Sequence, residues 1–287
     1  MLEGTVIKLY KGYYYVKVGG EILTCKLRGK FRFEKQNVVV GDKVKIKEAE
    51  SAYVINEVLD RQSQLIRPPI SNVDQAVIVL AVRNPEANLE LLDRILVWAE
   101  YQKLNIIICL NKVDLADKRE IAWSNIYDRE YTVILTSVVN NIGLQELKRL
   151  FYGKISVLTG QSGVGKSSII NALYRVNLNT GDVGRKGYGR HTTRHLELIP
   201  IDEKGFIADT PGFSSIDLPD IEVHELANYF RDFKKYVSEC HFDDCTHNRE
   251  PKCAVKKALE QGEISDMRYM NYLRFLNELT ERKMRYR

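Results

Sequence analysis

The sequence predicts a three-part α/β protein: a small closed β-barrel, a mostly parallel sheet flanked by helices, and a helical segment organised around a metal ion. Three observations carry that prediction. Short runs rich in β-branched and aromatic residues fill 1–67. Continuous apolar runs alternate with helical periodicity across 70–220, as strands buried on both faces do. Cysteines and a histidine cluster among helical patterns in 221–287. These three ranges are the expected domains, and 287 residues leave room for about two or three. A chain that is 44% hydrophobic and 28% charged has ordinary globular composition, which excludes wholesale disorder. The longest apolar run, 76–82, is too short to span a bilayer. Met1-Leu2-Glu3-Gly4 lacks the basic region and apolar stretch of a secretory signal. Five cysteines do not make a disulfide scaffold in a chain this long. The expectation is a soluble, cytoplasmic monomer with no membrane partner.

In the first part, strands are expected at 5–9, 13–18, 21–27, 43–47 and 53–59. Gly19-Gly20 suits a two-residue hairpin turn, which needs positive φ. Lys43-Val44-Lys45-Ile46-Lys47 alternates strictly, so one face is buried and the other cationic. Five short strands in under seventy residues fit an OB-type β-barrel, the oligonucleotide-binding kind. Residues 1–67 hold 13 Lys/Arg against 8 Asp/Glu, and this surplus equals the whole net charge of +5. A basic small domain on a near-neutral body suggests contact with RNA or DNA, because phosphate neutralisation dominates such binding. A solvated β surface carrying lysines gives the same count. Arg67-Pro68-Pro69 then reads as a linker.

Apolar runs at 77–82, 106–110, 133–135 and 155–158 are the expected strands of the second part, and Leu92, Ile95, Leu96 and Ala99 recur at helical spacing between two of them. In the third part Tyr269, Tyr272, Leu273, Leu276 and Leu279 form a helical stripe that reads as core packing. Arg282, Lys283, Arg285 and Arg287 form a basic tail that could touch RNA or remain solvated.

The strongest motif is Gly160-Gln161-Ser162-Gly163-Val164-Gly165-Lys166-Ser167, a Gly-x4-Gly-Lys-Ser phosphate loop. An apolar strand precedes it, and a helical pattern runs on from Ser168, the last residue expected at the nucleotide. Glycines let the backbone curl so that successive N–H groups point at phosphates, and the helix N-terminus adds its dipole. Lys166 is expected to bridge the β- and γ-phosphates, and Ser167 to give its hydroxyl oxygen to Mg²⁺. Asn111-Lys112-Val113-Asp114 follows a buried run, at the rim where ligands bind in open α/β sheets. An aspartate there accepts from both guanine N1–H and the N2 amine, a donor pair that adenine lacks. Asn111 would tie loops together, and the Lys112 stem would pack on the base. Thr136-Ser137, after the next strand, offers a backbone N–H as a further base contact. Asp209-Thr210-Pro211-Gly212 also follows an apolar strand: Asp209 would hold Mg²⁺ through water, and the Gly212 N–H would reach the γ-phosphate. Between these motifs lies a Gly-, Arg- and Thr-rich stretch, 181–194, expected as a loop whose Thr192 or Thr193 caps Mg²⁺ and the γ-phosphate.

Cys240, Cys245, His247 and Cys253 have the spacing C-x4-C-x-H-x5-C. Three thiolates and one imidazole make a closed tetrahedral set, which favours structural Zn²⁺ and leaves no open position for catalysis. Cys25 and Cys109 lie in strand-like runs and read as buried apolar residues, and His241 has no place in the spacing.

The motif order is unusual. GTPases ordinarily run phosphate loop, switch threonine, Asp-x-x-Gly, Asn-Lys-x-Asp, then the Ser-containing base loop. Here Asn111 to Asp114 and Ser137 precede the phosphate loop, while Thr192/Thr193 and Asp209 to Gly212 come last. This is a circular permutation, which geometry survives because every contact comes from loops on one rim of one sheet. With Gly189-Arg190-His191-Thr192-Thr193 and Asp209-Thr210-Pro211-Gly212-Phe213, the whole chain resembles the circularly permuted GTPases that mature the small ribosomal subunit, the ribosome small subunit-dependent GTPase A family. The resemblance implies GTP hydrolysis to GDP, stimulated by the small subunit, with its RNA as the barrel's partner. Ras-type enzymes orient water with a Gln after the Asp-x-x-Gly glycine. Phe213 stands there instead, and the residue the resemblance suggests is His191, which either positions water or holds the closed loop. An ATP-using phosphate-loop enzyme is disfavoured by Asp114. A binding protein whose nucleotide only holds structure is a further alternative that turnover measurements separate, and a GTPase working on some other RNA, such as tRNA, remains open because barrel and charge do not name the RNA.

Overall fold

The computed structural model describes residues 1–28, 37–49, 52–66, 68–117, 119–175, 196–209 and 217–285, with Asp209 described for its backbone alone. The first five strands are β1 (Leu2–Tyr10), β2 (Tyr13–Val18), β3 (Glu21–Leu27), β4 (Lys43–Ala49) and β5 (Ala52–Val58), which close into a barrel in the order β1-β2-β3-β5-β4. Alternation dictates the packing: Val44 and Ile46 join Val6, Val16, Cys25 and Ile55 inside, while Lys43 and Lys47 are exposed. Burial pushes the Cys25 thiol up to about 11, consistent with a neutral, apolar role.

The register of β1 against β2 shifts between Val6 and Lys8. Such a bulge re-aims side chains. Val6 therefore fills the barrel, and Ile7 leaves it for the core of the neighbouring sheet.

Of the residues expected as a linker, Pro68 and Pro69 lie at a turn between paired strands, and Arg67 lies outside the described residues. Strands β6 (Gln64–Leu65) and β7 (Ile70–Ser71) form a short antiparallel ribbon with Pro68 and Pro69 in its turn. Ser71 Oγ donates to Asp42 Oδ1 at 2.6 Å and Asn72 Nδ2 to the Gly41 carbonyl at 2.9 Å, which pins the ribbon to the barrel.

The second part alternates strand and helix: β8 (Gln75–Ala81), α1 (Leu89–Tyr101), β9 (Asn105–Asn111), a single 3-10 turn (Val113–Leu115), α2 (Ser124–Asp128), β10 (Thr132–Thr136), α3 (Leu144–Phe151), β11 (Ile155–Thr159), α4 (Lys166–Tyr174), β12 (Leu198–Pro200) and β13 (Phe206–Asp209). The sheet order is β10-β9-β8-β11-β13-β12, parallel except for β12, which runs antiparallel to β13. Strands β8 and β11 are buried on both faces, which is why they read as unbroken apolar runs. The carboxyl ends of β8, β9, β10, β11 and β13 share one rim.

A 3-10 segment (Val223–Tyr229) leads into α5 (Arg231–Val237), α6 (Ala254–Glu260) and α7 (Asp266–Arg285). Tyr272, Leu276 and Leu279 of the α7 stripe are buried with Phe230, Phe233 and Phe275, and Val97 of α1 joins them. Beside this core, Arg268 is 2% exposed between Asp93 of α1 and Asp232 of α5. The expected basic tail is partly committed: Arg282 donates to the Leu218 and Pro219 carbonyls at 2.8 Å, and Lys283 pairs with Glu222. Arg287 lies outside the described residues. Among the described residues no helix is long and apolar enough to cross a membrane.

Candidate functional site

Strand β11 ends at Thr159, and the chain curls through the phosphate loop into α4. Two glycines are obligatory there. Gly160 has φ +138°, and a Cβ on it would collide with the Val79 carbonyl of β8; Gly165 has φ +100°, and a Cβ would strike Asn111 Nδ2. Lys166 folds its ammonium into the loop, donating to the Gly160 and Gln161 carbonyls at 2.8 Å. Ser162 and Gly163 are exposed at the lip, Val164 is buried beneath it, and Ser167 and Ser168 are half-buried in the first turn of α4. A concave loop with a cation inside and a helix N-terminus behind is an anion cradle.

The residues expected at the base lie against this cradle, although the chain reaches them roughly fifty residues earlier. Asn111, 2% exposed at the end of β9, donates from Nδ2 to the Val164 carbonyl at 2.9 Å and accepts from Thr136 Oγ1 at 3.1 Å. It thus ties three loops together. Lys112 adopts a left-handed backbone (φ +62°), and its Nζ donates to the Gly163 carbonyl at 2.7 Å and to the Asn84 carbonyl. Its extended stem offers a flat apolar platform. Asp114 is exposed, with one carboxylate oxygen held by Ser137 Oγ at 2.5 Å.

Ser137 acts differently from the expectation. Its N–H is committed to the Ile142 carbonyl at 3.1 Å, so its contribution is the hydroxyl that aims Asp114. The hydroxyl also accepts from the Asn140 N–H at 3.1 Å, which fixes the turn after β10. Sequence reasoning missed the loop after β8. Asn84 (φ +54°) supplies the carbonyl that holds Lys112, and Pro85 lies beside Gly163. The available signal was an Asn-Pro pair just past a buried strand, on the same rim.

Asp209 closes β13 in register with Leu158, beside the base of the phosphate loop. Its side chain, and Gly189, Arg190, His191, Thr192, Thr193, Thr210, Pro211, Gly212 and Phe213, lie outside the described residues.

The second constellation sits between α5 and α6. Cys240, Cys245, His247 and Cys253 bring one ligand atom each to within 4.8 Å of one another. Cys240 Sγ lies 3.5 Å and Cys253 Sγ 3.4 Å from His247 Nδ1, and the two sulfurs are 3.9 Å apart. A tetrahedral ion with bonds of about 2.0–2.3 Å needs ligand separations of roughly this size. Burial pushes the Cys245 thiol up to about 12, so a bound cation is what would stabilise thiolates in this pocket. The surroundings brace the ligands. Tyr269 and Tyr272 donate to the His247 and Thr246 carbonyls at 2.7 Å, and Glu250 accepts from the Thr246 and Asn248 N–H groups at 2.9 Å. The Lys256 N–H points at Cys253 Sγ from the first turn of α6. Cys109 is fully buried beside Thr136 and stays apart from the cluster, and His241 is exposed.

Comparison with known proteins agrees over the whole length. The family model for the RsgA GTPase matches residues 58–219, and that for the RsgA N-terminal domain matches residues 3–54. Curated relatives named small ribosomal subunit biogenesis GTPase RsgA include those of Geobacillus kaustophilus and Bacillus anthracis, each 46% identical with all of both chains covered. The counterpart from Alkaliphilus metalliredigens is 41% identical over 99% of each. Among solved structures, YjeQ from Thermotoga maritima superposes with a TM-score of 0.84 at 37% identity, covering 97% of this chain and 98% of its own. YloQ, described as a circularly permuted GTPase, gives 0.83 at 39% identity, covering 98% and 96%.

Proposed function

This chain belongs to the RsgA GTPase family, and from that premise we propose that it hydrolyses GTP to GDP and phosphate as a late maturation factor of the small ribosomal subunit, stimulated by that subunit. The observation that carries the reading is the convergence of Asn111 and Lys112 on the phosphate loop, through Val164 and Gly163, despite the permuted order.

Each residue then has a task. Asp114, aimed by Ser137, accepts from guanine N1–H and the N2 amine, and the Lys112 stem packs on the ring. N–H groups from Gly160 to Ser168 cradle the phosphates, and Lys166 bridges β and γ. Ser167, Thr193 and Asp209 would hold Mg²⁺, which when bound neutralises charge on the β- and γ-phosphate oxygens. The Gly212 N–H contacts the γ-phosphate. His191 orients the attacking water, a role Phe213 cannot fill. The water oxygen bonds to the γ-phosphorus as the bond to the β–γ bridging oxygen breaks; the electron pair leaves on GDP, and the proton the water loses passes to an oxygen of the released phosphate. Hydrolysis is slow until His191 meets the attacking water, which is the step the subunit supplies.

The barrel contributes the basic surface for ribosomal RNA. Cys240, Cys245, His247 and Cys253 hold one structural Zn²⁺, whose closed ligand set fixes a segment with a small core of its own. The protein works in the cytoplasm as a monomer.

Turnover measured with purified small subunits, with large subunits and with neither tests the reading. Acceleration by small subunits alone is the expected result; equal rates in all three would overturn it. His191→Ala abolishes the stimulated rate while GTP affinity stays within about a few-fold.

A further inference from the structure

The sheet's outer strand, β12, is three residues long and has β13 on one side. Its other edge meets the barrel. Lys8 of β1 and Glu197, the residue before β12, form an isolated antiparallel bridge, and Lys8 Nζ donates to Glu197 Oε2 at 2.6 Å. The β1 bulge makes this contact possible, because it sends Ile7, 3% exposed, into the same apolar cluster as Leu198 of β12 and Phe206 of β13. Above the pair lies an open cleft of about 400 Å³ lined by Ile7, Lys8, Tyr10, Tyr15, Ile22 and Glu197.

What hangs from these two strands gives the contact its meaning. In sequence, Thr193 lies four residues before Glu197, and Gly212 three residues after Asp209, where β13 ends. Both segments assigned to the γ-phosphate are therefore rooted in one short antiparallel pair, and the barrel braces that pair at its open edge. We propose that Lys8 and Glu197 are positioning residues for stimulated hydrolysis: they couple the RNA-binding barrel to the β12–β13 pair, whose second strand ends at Asp209 in register with Leu158, beside the phosphate loop. This rests on the function proposed above. Lys8 and Glu197 keep side-chain exposures of 32% and 46%, so the pair adds little to global stability and can be altered without disturbing the core.

Charge reversal tests the joint. Lys8→Glu and Glu197→Lys each place like charges together, and the double swap restores opposite ones. Each single reversal is expected to lower subunit-stimulated kcat at least about fivefold. Basal turnover, GDP affinity and the KM for subunits stay within about twofold. In the protein alone, amide exchange at Leu198, Ile199 and Phe206–Asp209 quickens in each single variant. The double swap recovers both readouts. Unchanged stimulated kcat and exchange in the single variants, a loss confined to KM, or no recovery in the swap would each overturn the proposal. Absence of stimulation in the unaltered protein would instead refute the subunit-dependent function, and the exchange arm alone would then decide whether the pair braces β12–β13.

Discussion

Replacing Arg268 with Met removes a buried cation from the junction between α1, α5 and α7. Arg268 is 2% exposed and meets Asp93, itself fully buried, and Asp232 at 2.6 and 3.1 Å. Its guanidinium also lies 4.9 Å from the Phe230 ring and 5.2 Å from that of Tyr127. After substitution Asp93 retains only Asn271 at 2.7 Å and Tyr127 at 3.0 Å as donors. Stranding a buried carboxylate in this way costs about 3–5 kcal/mol. At about 2.1 cal/mol/K per residue, that lowers the melting temperature by about 5–8 °C if the chain melts as a unit. Burial already pushes the Asp93 carboxyl up, against the opposing pull of Arg268. Without Arg268 only the Asn271 and Tyr127 hydrogen bonds oppose that push, so folded Asp93 holds a proton that the unfolded chain releases above about pH 4. The variant is therefore more stable at pH 5 than at pH 8. Calorimetry at both values, with the Asp93→Leu/Arg268→Met pair alongside, measures this, since removing the stranded Asp93 carboxylate recovers part of the loss. A single variant within about 1 kcal/mol of the parent, or a pair no more stable than the single, would refute the reasoning.

Asp114→Asn costs guanine nucleotide affinity about 100-fold and shifts preference toward a purine with a carbonyl in place of the amine, read by competition titration. Ser137→Ala frees Asp114 and weakens GDP binding about fivefold to tenfold without changing helix content, measured by fluorescence titration and circular dichroism. Gly165→Ala drives a Cβ into Asn111 Nδ2 at φ +100°, so nucleotide binding falls below detection in the same titration while the barrel keeps its strand signal. Elemental analysis is expected to find one zinc per chain, and its removal by a strong chelator to unfold 217–285, read as rapid amide exchange there.

Legibility followed the range of the physical signal. Barrel strands were readable because alternation is local: β2 and β3 fall on the expected 13–18 and 21–27. The loops that meet at the cradle and the Cys/His cluster were readable because chemistry fixes the spacing of such motifs. The bulge at Ile7 was not, since alternation places that residue on one face or the other and does not reveal which core receives it. Arg268 and Asp93 are 175 residues apart and share no pattern, so only packing reveals them as partners. Pro68 and Pro69 signalled a break in regular structure, but the break is a ribbon turn held by Asp42 and Gly41, contacts that lie in another strand's flank. Ser137 was placed at the base loop by position, while its donor depended on a backbone bond to Ile142 that sequence does not encode locally.

The central claim is that loops in permuted order build one guanine-selective phosphate site. Equilibrium binding of a fluorescent GDP to the intact chain, with Mg²⁺ and unlabelled competitors, tests it most directly. The account predicts one nucleotide per chain, displaced by GTP and GDP and retained against a large excess of ATP. Displacement by ATP as effective as by GTP would contradict it.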